Sequence, residues 1–339
     1  MSQISLIQSN KEQPLTILAL NQWYAYEGNA FLPLNDSPDR QKGVFSVAFS
    51  GDFTKACLKK IIQFLDDQNQ SVTAVCQYQP DLGLSPAICF YSQNAQQAIN
   101  PLKLQAFSDT LDCQLVQMIT PPNLYKPGLL VMDMDSTAIT IECIDEIARL
   151  AGVYDEVAAV TAQAMAGNLD FNESLNQRVR KLAGIEKNLI NELRDALPLM
   201  PGIKALCQIL KQHNWYLAIA SGGFTSFAEH VKTLINLDEV HANKLEFANN
   251  KLTGNVLGTI VDAQQKANIL VSLQTKLGLE QAQTVAIGDG ANDLLMMAKA
   301  GLGVAVHGKP KVIEQAQAAI SRGSLLQLLY MLAIPLQEK

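Results

Sequence analysis

The sequence contains no long apolar run, no run of basic residues and no closely spaced cysteine pair. No stretch approaches the roughly 20 apolar residues that a membrane-spanning helix requires. Residues 1–6 lack the basic and apolar segments of a secretory signal peptide, so we expect neither export nor membrane binding. The cysteines show neither C-x-x-C spacing nor disulfide density, which predicts reduced thiols in a cytoplasmic protein. They are Cys57, Cys76, Cys89, Cys113, Cys143 and Cys207.

The charge balance also gives no sign of a polyanionic partner. Among 339 residues, 26 basic and 32 acidic side chains give a formal net charge of −6, and the basic ones are scattered. A nucleic-acid or lipid surface would require a basic cluster, so we expect neither partner. With 48% hydrophobic and 17% charged residues, the chain is long enough for two globular domains with substantial cores.

The first third of the chain predicts a separate small domain. Its patterns indicate strand, helix, strand, strand, helix and strand, at 44–49, 53–65, 71–78, 87–91, 101–111 and 113–119. This βαββαβ order is that of ferredoxin-like α+β domains, and it resembles the ACT-type domains found beside amino-acid enzymes. For segment 23–33 the sequence leaves two interpretations open, a loop or an extra strand. A linker at 120–123 contains Pro121 and Pro122 and cannot be helical, so we place the domains at 1–120 and 121–339.

A short apolar run at 129–132 is followed by two aspartates, Asp133 and Asp135. Such a run is typical of a strand buried on both faces of a parallel sheet. In open α/β sheets, ligands bind just beyond the carboxyl ends of the strands. Two neighbouring carboxylates repel each other, so the pair requires a cation or a shared proton. The two aspartates therefore predict a functional site.

From residue 129 onward, strands and helices alternate, which predicts a Rossmann-like, doubly wound parallel sheet of the α/β class. Further strands are predicted at 216–221, 284–289 and 302–306. The first of these ends at Ser221, before two glycines, and the second leads into segment 288–293, which contains Asp289, Asn292 and Asp293. Polar residues at several strand ends of one sheet suggest a single site.

These residues supply the groups that phosphoryl transfer needs. Ser221 and the glycines after it offer a hydroxyl and backbone N–H groups to a phosphate, and Lys266 adds a positive charge. A carboxylate could attack phosphorus once cations neutralise the phosphate, which gives an aspartyl-phosphate. A second acid could protonate the leaving oxygen and later deprotonate water. The carboxylates that suit a hard cation such as Mg²⁺ are those of Asp133, Asp135, Asp289 and Asp293.

The run from Asp133 to Thr137 resembles the D-x-D-x-T motif of the haloacid-dehalogenase-like (HAD-like) phosphatases. Ser221, Lys266 and segment 288–293 resemble the remaining three motifs, in the same order. Over 129–322 the chain resembles the phosphoserine phosphatases of that superfamily. The resemblance implies that Asp133 is the nucleophile and Asp135 the general acid/base.

The same resemblance implies a ligand set. Asp133, the Asp135 backbone carbonyl and Asp289 would bind Mg²⁺, with Asp293 in the outer coordination shell. The residues that would bind the phosphate end of the substrate are Ser221, Gly222, Lys266 and Asn292.

The hydrophobic pattern of the roughly sixty residues after Thr137 indicates a helical segment. It predicts helices at 144–150, 153–165 and 171–182. A helical cap at about 142–200 would close over the strand ends and exclude water from the phosphorylated aspartate. The resemblance implies that this cap recognises O-phospho-L-serine. Glu142 would meet the ammonium and Arg178 the carboxylate, while Met165 and Phe171 shield the pocket. The implied reaction releases L-serine, the last step of serine biosynthesis.

Several alternatives stay open. Taken singly, Glu142 is also explained as an early helix residue, Arg178 as a solvated helix charge, and Met165 and Phe171 as core residues. Within the enzyme class, the main alternative is a phosphatase or phosphotransferase for another small phosphomonoester. A receiver-type phospho-aspartate module would lack the helical insert. A serine sensor attached to a degenerate enzyme conflicts with the intact motif set, and a homodimer is left open.

Overall fold

The computed structural model describes residues 4–5, 18–28, 30–81, 83–95 and 97–337, so residues 1–6 are only partly covered. The chain forms two compact units. The first contains Met1–Lys126, His307–Gly323 and Gln327–Lys339, and the second contains Pro127–Val306 and Ser324–Leu326. The predicted boundary near residue 120 stays a prediction. The compact units do not correspond to a single cut of the chain at that boundary, because two segments near the C-terminus belong to the first unit.

The first unit contains an antiparallel sheet with helices. Its strands are β1 (Ile4–Ser5), β2 (Trp23–Glu27), β3 (Ala30–Pro33), β4 (Val44–Phe49), β5 (Ala74–Tyr78), β6 (Ala87–Ser92) and β7 (Gln114–Met118). In the described residues their order is β1-β3-β2-β5-β6-β4-β7. The predicted βαββαβ order is confirmed by β4, α1 (Lys55–Asp67), β5, β6, α2 (Pro101–Asp109) and β7. Segment 23–33 forms β2 and β3, and Asn29 between them lies outside the described residues.

Helix α1 is positioned by its N-cap and its apolar face. The Thr54 side chain accepts a hydrogen bond from the Cys57 backbone N–H at 3.2 Å, which satisfies a donor of the first turn. Leu58, Ile61 and Leu65 recur at helical spacing and are fully buried in a core shared with strand residues of the sheet.

The second unit contains the predicted parallel sheet. Its strands are β8 (Leu129–Met132), β9 (Tyr216–Phe224), β10 (Glu239–Ala248), β11 (Lys251–Leu257), β12 (Thr284–Gly288) and β13 (Leu302–Val306). They lie in the order β11-β10-β9-β8-β12-β13, and every neighbouring pair is parallel except β10 with β11. The central strands β8, β12 and β13 are buried along their whole length, as continuous apolar runs predict.

The helices of this unit connect the strands. The insert after β8 contains α3 (Cys143–Leu150), α4 (Tyr154–Met165), α5 (Phe171–Lys181) and α6 (Lys187–Asp195), which confirms its helical character. Then follow α7 (Ile203–Gln212), α8 (Thr225–Ile235), α9 (Ala263–Leu277) and α10 (Leu294–Lys299). The prediction of a HAD-like sheet with a helical cap insert is therefore confirmed. Among the described residues, no helix is both long and apolar enough to span a membrane.

The C-terminal part of the first unit packs on its sheet. It contains α11 (Pro310–Gln315), β14 (Ala318–Ile320) and α12 (Leu328–Leu332). The Tyr330 ring stacks on Phe49 with 4.8 Å between ring centroids, and its hydroxyl donates to Ser85 O at 2.8 Å. The Trp23 indole N–H donates to Pro335 O at 2.7 Å. Aromatic stacking and these bonds attach the end of the chain to the first unit.

Candidate active site

The parallel register brings the carboxyl ends of β8 and β12 to one level, next to β9. Met132, the last residue of β8, lies opposite Ile219 of β9 and Ile287 of β12. The Asp133 backbone N–H continues this ladder by donating to Ile287 O at 3.0 Å. The residues that follow each strand, Asp133 and Asp289 among them, therefore meet at the same edge of the sheet.

A tight turn after Asp133 shapes the next residues. The Met134 carbonyl accepts from the backbone N–H groups of Thr137, Ala138 and Ile139 at 3.2, 2.8 and 3.0 Å. Ser136 adopts a left-handed conformation with φ of 55°, which is uncommon for a residue other than glycine and is often found at functional sites. The turn aims the Thr137 hydroxyl at Asp289, whose carboxylate accepts its hydrogen bond at 3.1 Å.

Lys266 brings a positive charge into this edge. Its helix α9 is capped by Asp262, whose side chain accepts from the Gln265 backbone N–H at 2.9 Å. The Lys266 ammonium then lies 2.7 Å from Asp133 Oδ2 and 2.7 Å from Asp293 Oδ1, with no exposed surface. Burial alone would lower the pKa of Lys266, but the two carboxylates reverse the effect and raise it, so the lysine stays charged.

Asp133, Asp289 and Asp293 form an acidic cluster suited to a divalent cation. Each offers one carboxylate oxygen, and these oxygens lie within 4.8 Å of one another. Burial, followed by repulsion from Asp133 and Glu142, raises the pKa of Asp289 to about 6. Burial and Asp133 likewise raise the pKa of Asp293. A bound cation would stabilise the ionised form of these carboxylates, and hard divalent metals prefer oxygen ligands. The donor set fits such a metal.

Asp135 lies beside the cluster in a different environment. Burial and the carboxylates of Glu142 and Asp133 raise the pKa of Asp135 to about 8, against hydrogen bonding from Cys143. The Cys143 backbone N–H donates to Asp135 Oδ1 at 3.3 Å. The other carboxylate oxygen lies against Gly223, where an added Cβ would come within 2.6 Å of it. This environment favours the protonated form of Asp135, which is the form that a general acid requires.

Ser221 and the glycines after it form a turn next to Asp135. The Ser221 hydroxyl is fully buried and accepts from the Gly223 backbone N–H at 2.9 Å. Across the sheet edge, Asn292 lies in a short 3₁₀ turn with its carboxamide oxygen against Gly290. The binding of phosphate by Ser221, Gly222, Lys266 and Asn292 stays a prediction.

The cap insert contributes charged residues to the same region. Glu142 accepts from the Ser136 hydroxyl at 2.6 Å. Desolvation raises the pKa of Glu142, although the residue is exposed. The negative charge of Asp133 raises this pKa further. Desolvation lowers the pKa of Arg178, and the carboxylates of Asp145, Glu142 and Asp135 oppose that change. Arg178 is therefore close enough to these acids to interact with them electrostatically.

The two predicted apolar cap residues differ in position. The Phe171 ring lies on Gly222, where an added Cβ would come within 2.8 Å of the ring. It begins α5, which is capped by the Asp170 side chain at 2.8 Å from the Glu173 backbone nitrogen. Met165 ends α4 and is 70% exposed, so its burial against a substrate stays a prediction.

Three residues at this site received no role from the sequence. Thr137 donates a hydrogen bond to Asp289, the Cys143 backbone N–H donates one to Asp135, and Asp145 interacts electrostatically with Arg178. Thr137 belongs to the D-x-D-x-T motif, which is a usable signal for its position. Cys143 and Asp145 have no such signal, because an apolar-looking residue and an acid in the first turn of a helix are ordinary features.

Comparison with known proteins identifies relatives over most of this region. Residues 128–301 match the model of the haloacid dehalogenase-like hydrolase family. A phosphoserine phosphatase of Vibrio cholerae is 55% identical over 59% of the chain, a match that spans 61% of the relative's own length. A phosphoserine phosphatase of Haemophilus influenzae is 48% identical over 70% of the chain and 78% of its own length.

A solved structure covers more of the chain. The unliganded crystal structure of a probable phosphoserine phosphatase from Vibrio cholerae matches with a TM-score of 0.71 and 39% identity. The match covers 87% of this chain and 88% of that one. The fold of the second unit and its cap insert therefore has a close counterpart among structures of phosphatases.

Proposed function

The chain belongs to the haloacid dehalogenase-like hydrolases, and on that premise we propose that it hydrolyses O-phospho-L-serine to L-serine and phosphate. The observation that carries the proposal is the charge arrangement on the cap side, where Arg178, Glu142 and Asp135 lie close enough to interact electrostatically. A phosphorylated amino acid presents both a carboxylate and an ammonium, which a guanidinium and a carboxylate can recognise together. The phosphoserine phosphatases among its relatives support the same substrate. Release of L-serine is the last step of serine biosynthesis.

Asp133 acts as the nucleophile in the proposed first step. Its carboxylate is held by the Met134 backbone N–H at 2.6 Å and by the Lys266 ammonium at 2.7 Å. A bond forms between an Asp133 oxygen and phosphorus, and the bond from phosphorus to the serine oxygen breaks. Asp135, with its pKa near 8, donates its proton to the departing serine oxygen.

The second step reverses the role of Asp135. The carboxylate, now ionised, accepts a proton from a water molecule that attacks phosphorus. The bond between phosphorus and the Asp133 oxygen breaks, which restores the carboxylate and releases phosphate. Lys266 is charged in the resting protein, because the carboxylates of Asp133 and Asp293 raise its pKa, and Asp293 keeps its ion pair with the lysine while Asp133 is phosphorylated.

We propose Mg²⁺ as the divalent cation of the acidic cluster. Asp133, Asp289 and the Asp135 backbone carbonyl would hold it directly. Asp293 would act from the outer shell, because its two oxygens already accept from Lys266 at 2.7 Å and from the Gly290 backbone N–H at 3.0 Å. When bound, the cation neutralises charge on the phosphoryl group.

Three further proposals rest on the sequence expectations. The first unit is proposed to be an ACT-like domain, because it has the βαββαβ order of ferredoxin-like folds. A cytoplasmic location is proposed because the cysteines lack disulfide spacing, and the homodimer is kept as a hypothesis that the sequence leaves open. The alternative activity is hydrolysis of, or transfer from, another small phosphomonoester.

A panel of phosphate esters tests the substrate. Phosphoserine contains both charged groups, phosphoethanolamine lacks the carboxylate, and p-nitrophenyl phosphate lacks both. With Mg²⁺ present, we expect kcat/KM for phosphoserine to exceed that for phosphoethanolamine by about tenfold or more, since one charged contact is lost. Chelation of the metal should remove activity toward all three esters. Equal kcat/KM values across the panel would contradict the assignment of phosphoserine.

A further inference from the structure

The ladder between β9 and β10 is interrupted beside the Ser221 turn. The two strands pair in parallel up to His241 opposite Ala220, and pairing resumes only at Asn243 opposite Phe224. Residues 221–223 of β9 therefore have no regular ladder partner on β10 over this stretch. Such irregularities often occur beside active sites, where backbone groups are redirected. The Gly222 carbonyl needs another donor, because an unpaired backbone oxygen in this setting is costly.

The side chain of Asn243 supplies that donor. Asn243 is 1% exposed, and its Nδ2 donates to Gly222 O at 2.8 Å. Its Oδ1 accepts from the Val261 backbone N–H at 2.9 Å. The two bonds fix the orientation of the amide, since only its nitrogen can donate to a carbonyl and only its oxygen can accept from an N–H.

The peptide between Gly222 and Gly223 is thus held on both sides. Its carbonyl accepts from Asn243, and its N–H donates to the Ser221 hydroxyl at 2.9 Å. Because the Ser221 oxygen already accepts this bond, its own hydrogen can be donated to another acceptor. The peptide lies beside Asp135, since an added Cβ on Gly223 would come within 2.6 Å of Asp135 Oδ2.

The second bond of Asn243 reaches the segment that leads to Lys266. Val261 precedes Asp262, the N-cap of α9, and the Asp262 carbonyl accepts from the Lys266 backbone N–H at 2.9 Å. One buried amide therefore connects the Ser221 turn to the start of the helix that positions the lysine.

We propose that Asn243 is a positioning residue, which holds the turn 221–223 in the conformation that binds phosphate and keeps it in register with α9. The proposal rests on the proposed function in one respect only, the phosphate-binding role of that turn. Loss of the Asn243 amide leaves the Gly222 carbonyl free to reorient. The Gly223 N–H belongs to the same peptide, so its hydrogen bond to the Ser221 hydroxyl is then no longer fixed.

Binding of inorganic phosphate tests the proposal in the full-length protein with Mg²⁺. Asn243→Asp keeps the acceptor for Val261 but places a carboxylate oxygen opposite the Gly222 carbonyl, and Asn243→Ser removes both bonds without adding charge. We expect the Kd for phosphate, measured by calorimetry, to rise about tenfold or more in both variants, because a buried hydrogen bond is left unmade. The KM for phosphoserine should rise in parallel.

Thr225→Val is the matched control. The Thr225 hydroxyl donates to Ala242 O and Asn243 O, both at 3.1 Å, so its loss weakens the contact between the start of α8 and β10 without touching the side-chain amide of Asn243. Its phosphate Kd should stay within about twofold of the parent value, even where its melting temperature falls as far as that of the Asn243 variants. A folded Asn243→Ser protein with unchanged phosphate affinity would overturn the proposal. Failure of the parent protein to hydrolyse phosphoserine would instead contradict the proposed function, because phosphate binding does not depend on the identity of the ester.

Discussion

The ammonium of Lys266 lies 2.7 Å from Asp133 Oδ2, and the lysine side chain has no exposed surface. The same nitrogen lies 2.7 Å from Asp293 Oδ1. A buried cation between two carboxylates compensates part of their mutual repulsion, while the remaining negative charge is left for a metal or a proton. The arrangement thus serves the fold and the proposed chemistry together.

Replacing Lys266 should therefore cost stability as well as activity. Lys266→Met leaves the buried carboxylates of Asp133 and Asp293 without their cation, and we expect the free energy of unfolding at pH 7 to fall by roughly 3–5 kcal/mol. Urea denaturation measures the loss. Lys276→Met, on the same helix, is the control, because its bond to Glu239 is solvent-exposed and such pairs contribute little. Equal destabilisation by the two variants would contradict the role of the buried pair.

The stability of the metal-free protein should decrease as the pH rises. The folded protein raises the pKa of Asp289 to about 6 and that of Asp135 to about 8. A carboxyl whose pKa is raised on folding stabilises the protein below its unfolded value, and that contribution is lost as the pH rises through the folded value. The free energy of unfolding with EDTA should therefore fall between about pH 4 and pH 8.

Mg²⁺ should restore this stability, and more at pH 8 than at pH 5.5, because it binds the ionised carboxylates. Thermal unfolding at both pH values, with EDTA or with Mg²⁺, checks the expectation. Asp289→Asn removes one proposed ligand and should reduce the increment due to Mg²⁺. An increment that is the same at both pH values would argue against carboxylate ligation.

The nucleophile can be tested without disturbing the sheet. Asp133→Asn keeps the shape of the side chain and its hydrogen bond from Met134 but cannot form an acyl phosphate. We expect kcat to fall by at least about a thousandfold, with circular dichroism unchanged. Asp155→Asn, an exposed acid in the first turn of α4, should leave kcat unaffected. Substantial turnover by Asp133→Asn would exclude Asp133 as the nucleophile.

The sheet and the strand-end residues were predictable because they depend on patterns that are local in sequence. The apolar run 129–132 and the aspartates after it identify both a strand and its carboxyl end. The hairpin of β10 and β11 has a local signal of the same kind, since Asn249 and Asn250 are residues that tolerate the positive φ they adopt in its turn.

Contacts that join distant segments were not predictable in the same way. The orientation of Lys266 toward Asp293, 27 residues away, depends on how α9 packs and not on its own periodicity. A single asparagine such as Asn243 in β10 has no sequence pattern that predicts an interruption of the strand ladder. The apolar segment that contains Tyr330 likewise gave no indication that its ring would stack on Phe49, because the two residues lie far apart in the sequence.

Arg178 should determine the preference for phosphoserine. Arg178→Ala removes the guanidinium that faces Glu142 and Asp145, and we expect kcat/KM for phosphoserine to fall on the order of 10–100-fold. Hydrolysis of p-nitrophenyl phosphate should change far less, since that ester has no carboxylate. Arg180→Ala, exposed on the same helix, is the matched control. Equal losses on both esters would argue against a carboxylate contact.

The contact between Phe171 and Gly222 should couple the cap to the strand end. A methyl group at position 222 would lie 2.8 Å from the Phe171 ring, closer than carbon atoms tolerate, so Gly222→Ala must displace the ring. We expect Gly222→Ala and Phe171→Ala each to raise the KM for phosphoserine, and the double variant to be no worse than Phe171→Ala. Steady-state kinetics on the four proteins gives the coupling, which for residues in contact is about 0.5–3 kcal/mol. Asn172→Ala, exposed on the next residue of α5, should change nothing. If the effects of Gly222→Ala and Phe171→Ala simply add, Gly222 acts on the substrate directly and not through the cap.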